Sequence, residues 1–248
     1  MAQAPTRSPI PARIPTVVPT RIVSSPQVRE AQPGLLLEPG ATLPTTLPAT
    51  LPSTLHIGSG KNWKAKYLNL DIEPRWRPDV LFDLNQPLPD SGEVVVASER
   101  FGEITFREGM FAEAIAQDVL EHIQDLPTAM TTLLHWMQVG GVLKVAVPYE
   151  LSLGAWCDPT HVRAFNEQSF NYYTCWSWYL GWRTHHFGLQ KQEYIATEYG
   201  LELSEKGATI EDLLRTPRAI EQMYVELVKQ PLSEEGLRIT DSYFAPRP

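Results

Sequence analysis

Half of the chain's prolines, 11 of 22, fall within residues 1–54. Each proline fixes φ and removes a backbone donor, so this density rules out regular helix and disfavours central strand. What remains is extended, polyproline-like chain. The segment ends in a four-residue repeat: Thr42-Leu43-Pro44-Thr45, Thr46-Leu47-Pro48-Ala49, Thr50-Leu51-Pro52-Ser53. Its four arginines outnumber its two glutamates, giving a formal charge of +2, so with a total of −8 the remainder carries −10. Two readings stay open for this arm. It is a disordered tail or semi-rigid spacer, or it docks on its own acidic domain, on a second copy in a homodimer, or on a partner.

Residues 55–248 read as one α/β domain. Short apolar runs bounded by turns predict strands at Thr54–Ile57, Tyr67–Ile72, Val80–Leu84, Ala112–Gln117 and Val142–Val147. Apolar residues from Leu126 to Met137 recur at helical spacing, and Gly140-Gly141 stops that helix. Glu93–Ala97 and Ile104–Phe106 predict a hairpin inserted before the fourth strand. Two later strands, Gly188–Thr197 and Met223–Lys229, flank a short helix at Ile210–Arg215. The acidic balance argues against a nucleic-acid partner. No apolar run is long enough to span a membrane. Two cysteines, Cys157 and Cys175, make no disulfide framework, and a cytoplasmic setting is expected. No metal site is expected, since the cysteines are ungrouped and His185-His186 lacks companions at ligand spacing.

The chemistry-bearing residues recur at successive strand ends. Gly58-Ser59-Gly60 follows the first strand, where glycine lets backbone approach a ligand closely. Asp71 ends the second strand, the place from which a carboxylate accepts both ribose hydroxyls in nucleoside-binding sheets. Asp83-Leu84 ends the third strand and Gln117-Asp118 the fourth, followed by Val119-Leu120-Glu121-His122. Open α/β sheets bind ligands along this edge.

These residues resemble the class I S-adenosylmethionine-dependent methyltransferases, particularly the small-molecule branch (methyltransferase type 11-like), from about Leu55 to Pro148. A weaker echo lies at Asp158–Phe165. The resemblance implies a Rossmann-like, mostly parallel seven-stranded sheet with a terminal antiparallel hairpin. It implies S-adenosyl-L-methionine as cofactor and methyl transfer to an O or N atom of a small-molecule or peptide acceptor, secondary-metabolite biosynthesis being one setting. By resemblance Gly58 and Gly60 pass the methionine portion and Asp71 takes the ribose, with Ser59 and Ile72 beside them as further cofactor contacts. Asp83 and Leu84 border the adenine, Gln117 and Asp118 face the methionine end, and Leu120 is a further cofactor contact. One departure is plain: Lys61–Lys66 leaves six residues for the first crossover, too few for a helix. No third glycine is present, which weakens a nucleotide-sugar or NAD-linked alternative. A non-catalytic protein of the same fold, working through its arm, is the second alternative.

Residues 149–187 hold four of the seven tryptophans and read as a lid over the sheet edge. Trp156, Arg163, Phe165, Tyr172 and Tyr173 are the expected acceptor contacts, aromatic walls being suited to a planar acceptor or a sulfonium. The other reading is a hydrophobic core or dimer interface. His161 is the first candidate for a base or acceptor-orienting group. Asp158 is placed to fix its tautomer, and Tyr149 is a further candidate. Asp158 and His161 tying a turn together is the alternative. His122 reads as a helix cap or a packing residue beneath the site, with catalysis as the alternative.

Overall fold

The computed structural model describes residues 20–24 and 50–246. Most of the proline-rich arm and most of its repeat lie outside the described residues. In chain order the elements are β1 (Thr20–Ser24), β2 (Thr54–Ile57), β3 (Leu68–Asp71), β4 (Val80–Leu81), β5 (Val94–Ser98), β6 (Gly102–Phe106) and β7 (Phe111–Gln117). Then come α1 (Leu126–Trp136), β8 (Met137–Pro148), α2 (Gly154–Cys157), β9 (His185–Ala196), α3 (Glu198–Glu205), α4 (Ile210–Arg215), β10 (Ile220–Pro231) and α5 (Glu234–Phe244).

Eight strands form one sheet in the order β1-β9-β10-β8-β7-β2-β3-β4. Strands β2, β3, β4, β7 and β8 are parallel, and β10 runs antiparallel to both β8 and β9. This is the Rossmann-like sheet with an antiparallel end that the sequence predicts. An eighth strand joins the expected seven: β1, from the arm, pairs in parallel with Gln192–Ala196 of β9. Its five residues contain no proline and sit at the sheet edge, where a proline-flanked segment is tolerated.

One face of the sheet carries the core. Leu55, Ile57, Leu68, Leu70, Ala114, Leu143, Val145 and Val225 pack there with Phe106, Phe111 and Trp136. Helix α1 covers this face, capped by Asp125, whose carboxylate accepts from the Thr128 amide at 3.0 Å. The helix ends at Trp136, earlier than Gly140-Gly141 predicts. Met137 already pairs with Phe111, and both glycines lie inside β8, where Gly140 takes φ +82° at a register break. On the opposite face alternate residues are polar: Lys144 pairs with Glu113, and Tyr224 donates to Glu226.

The missing first helix has a physical replacement. A single 3-10 turn, Gly60–Asn62, starts the connection from β2 to β3. Asn69 of β3 then gathers the loop: its side chain donates to the Lys64 and Tyr67 carbonyls and to Asp79, and accepts from the Lys64 amide. Arg100, at the tip of the β5–β6 hairpin, donates to the Ala65 and Tyr67 carbonyls and to Asp79 (2.9 Å). The hairpin therefore fastens the loop that a crossover helix would otherwise order. Among the described residues no helix is long and apolar enough to cross a membrane.

Candidate active site

The parallel strands bring the expected polar ends to one edge. Gly58 has φ +59°, and Gly60 has φ +45° with open space where a side chain would begin. Between them the Ser59 hydroxyl is buried without a hydrogen-bond partner. Asp71 holds this turn: one carboxylate oxygen accepts the Gly60 amide at 2.8 Å and the other the Glu73 amide at 2.9 Å. A carboxylate offers about four lone-pair directions, so two remain for a pair of hydroxyls. Ile72, beside it, is 62% exposed.

Asp83 accepts from the backbone and side chain of Asn85. Burial opposes its ionisation, but these bonds prevail and hold its carboxyl below the usual range. Gln117 is exposed, and Asp118 takes φ +53°, a left-handed conformation that re-aims it toward Gln222, from which it accepts at 2.8 Å. A non-glycine residue held there at a strand end is a feature of ligand sites.

After Asp118 a 3-10 turn over Leu120–His122 carries a group that sequence reasoning passed over. Glu121 is 1% exposed, and neither of its carboxylate oxygens has a hydrogen-bond partner. Burial, reinforced by Asp118, pushes its carboxyl up to about 7. His161 lies beside it, with Nε2 3.9 Å from Glu121 Oε1. The His122 and His161 rings meet edge to face, 4.6 Å between centroids. The Val162 amide donates to the Glu121 carbonyl at 2.9 Å, so the lid segment is clipped to this turn. The signal for this cluster was the Glu-His pair itself, but its partner His161 lies far along the chain, past strand β8, and no spacing rule joins them.

Several expected roles are corrected. Asp158 does not orient His161: the Ala155 carbonyl bonds His161 Nδ1 at 3.0 Å, while Asp158 accepts from Thr160. Tyr149 is buried, its hydroxyl facing the Leu214 carbonyl (3.0 Å) and Glu167 (3.1 Å), and burial drives its pKa upward, so no free phenol reaches the site. Phe165 and Tyr173 are core residues, Phe165 stacked on Phe170. Leu84 and Leu120 are likewise packed into the core. Arg163 spends its guanidinium on the Ile123 and Gln124 carbonyls, at 2.7 and 2.8 Å. Trp156, 65% exposed, and Tyr172 stay at the surface. The aromatic segment is thus largely core, the second of the two readings of its composition.

The mostly parallel sheet with its antiparallel end, and polar residues gathered at the ends of its parallel strands, define a Rossmann-like α/β fold. Neither a family model nor a curated protein matches the chain. Among solved structures it is similar to an S-adenosylmethionine-dependent methyltransferase from Archaeoglobus fulgidus, at 15% identity over 72% of this chain and 86% of that one, TM-score 0.46. It is also similar to the YcgJ protein from Bacillus subtilis, at 12% identity over 73% and 94%, TM-score 0.44. A third is an S-adenosylmethionine-dependent methyltransferase from Mesorhizobium loti, at 14% identity over 71% and 90%, TM-score 0.39.

Proposed function

We propose that the protein is an S-adenosyl-L-methionine-dependent methyltransferase acting on an oxygen or nitrogen of a small-molecule or peptide acceptor. The observation that carries this reading is the Gly58–Gly60 turn held by Asp71, with open space over Gly60 and an unpartnered Ser59 hydroxyl. The residues fit the cofactor. The two free acceptor directions of Asp71 suit the ribose hydroxyls, exposed Ile72 suits the adenine face, and Ser59 with the Gly60 backbone suits the methionine end. When bound, the cofactor supplies a methyl carbon already activated by its sulfonium.

The protein's own tasks are then to hold the acceptor in line and accept its proton where needed. His161 suits the second task. A carbonyl can only accept, so the bond to Ala155 assigns the proton to Nδ1 and leaves the Nε2 lone pair free on the neutral ring. Calorimetry with S-adenosylmethionine and S-adenosylhomocysteine tests the reading. Asp71→Ala is expected to weaken both by about 100-fold, the scale of losing charge-assisted hydrogen bonds worth roughly 1.5–3 kcal/mol each. Absence of binding to either compound by the unmodified chain would sink it. His161→Ala is expected to lower kcat at least tenfold while the cofactor dissociation constant stays within twofold.

A further inference from the structure

We propose that Glu121, His122 and His161 bind a single divalent transition-metal ion of borderline softness. One ligand atom from each of the three lies within 4.8 Å of those of the other two. Two imidazole nitrogens with one carboxylate suit zinc, cobalt or ferrous iron better than magnesium, which demands oxygen ligands. Ligand atoms sharing one ion at about 2.1 Å sit roughly 3.0–3.5 Å apart. The His161–Glu121 separation of 3.9 Å closes with a shift of well under one ångström, and the full set, spanning up to 4.8 Å, closes with side-chain rotations that bring its widest pair in by roughly 1.3–1.8 Å.

The surroundings prepare both histidines. His161 Nδ1–H is committed to the Ala155 carbonyl. Thr160 gives its hydroxyl proton to Asp158, an acceptor-only carboxylate at 2.6 Å, so the same oxygen accepts from His122 Nδ1–H at 2.9 Å. In the neutral form of each ring the proton is thereby placed on Nδ1 and the lone pair on Nε2, the arrangement in which a metal-binding histidine donates its other nitrogen to a carbonyl or oxygen partner. Independently, Glu121 presents two carboxylate oxygens that are buried and unpartnered. A buried carboxylate without partners is costly, and an ion on these atoms removes the cost. Three protein ligands leave coordination positions open, as at catalytic rather than structural sites. Asp118, a residue of the proposed cofactor edge, lies within electrostatic reach of both imidazoles. With His161 Nε2 on the ion, the ion takes over the activating task otherwise given to that nitrogen, lowering the pKa of an acceptor hydroxyl beside the cofactor; that role rests on the methyltransferase reading. The binding does not.

The test is titration of Co2+ and Zn2+ into the chelator-stripped full chain without cofactor, followed by calorimetry and by the visible absorption of bound Co2+. One ion per chain is expected, with Mg2+ failing to compete. Glu121→Gln and His161→Ala are each expected to weaken Co2+ binding at least tenfold and alter its spectrum. Thr160→Val, an exposed change that touches no ion, is expected to weaken it about tenfold by freeing the His122 ring, in line with the 10–100-fold effect of such outer partners. Circular dichroism and S-adenosylmethionine binding, measured on the same samples, report whether each variant folds. Absence of saturable one-to-one binding, or binding unchanged in all three variants, overturns the inference. If cofactor binding persists in that outcome, the methyltransferase reading stands without it.

Discussion

Gly58 and Gly60 sit in one turn, either side of Ser59, and face opposite constraints. A Cβ on Gly58 would lie 2.4 Å from Val119 Cγ2, whereas one on Gly60 would meet nothing within 4 Å. Left-handed backbone alone costs an L-residue roughly 1–2 kcal/mol. Gly58→Ala adds steric overlap, so urea denaturation is expected to show a loss of about 3 kcal/mol, partly recovered by Val119→Ala. Gly60→Ala is expected to cost about 1 kcal/mol in stability and to weaken cofactor binding more than that. Equal affinity for the two variants and the parent would remove the turn from the cofactor site. Lys229 makes a separate case. Its side chain is 2% exposed, 3.6 Å from Glu108 and 3.5 Å from the His135 carbonyl. Burial, only partly offset by Glu108, lowers its pKa. Between that lowered value and about 10.4, the ordinary value of a lysine, the unfolded chain binds more protons, so stability rises with pH across that window and the deficit is full below it. Lys229→Met should flatten the rise and, near neutral pH, raise stability by roughly 1 kcal/mol, since apolar replacement of buried charge is often neutral or stabilising. Thermal melts at several pH values check the sign.

At the level of elements, the hairpin β5–β6 does for the β2–β3 loop what a crossover helix does elsewhere. Arg100→Ala would leave Asp79 buried and the Ala65 and Tyr67 carbonyls short of a donor. Breaking one side of a buried pair costs roughly 3–5 kcal/mol. Arg100 is partly exposed, so about 3 kcal/mol is expected in denaturant unfolding, with Asp79→Asn in the same chain restoring part of it. The elements themselves were legible wherever periodicity was strong: β7, β8 and α1 follow from apolar spacing, and the short first connection follows from counting residues. The hairpin's purpose was not legible, because strands β4 and β5 separate Asp79 from Arg100 in sequence and only the fold brings them together. The site divides the same way. Asp71, Gly58 and Gly60 are local in sequence and were readable. The Glu121–His161 contact reaches across α1 and the whole of β8, and the inward burial of Phe165, Tyr173 and Leu120 depends on which side of the chain faces the sheet.

Across the whole molecule, the acidic domain is closed at one edge by a strand from its basic arm. Strand β9 is 12 residues long, and β1 pairs only with its last five, Gln192–Ala196. Composition argued against strand in the arm because it averages over the entire proline-rich segment, while the five residues that pair are free of proline. Backbone hydrogen bonds of this kind ask little of side-chain identity, so β9 will accept any extended segment presented in register. A chain lacking residues 1–24 would display the full length of β9, a ready template for a second molecule. Such a chain is expected to self-associate as concentration rises, with light scattering reporting the mass and an added peptide of residues 19–25 suppressing it. A mass per particle unchanged from that of the full chain would mean that the edge is protected by its own twist and charge. In that sense the arm's five residues, Thr20–Ser24, are a guard against aggregation.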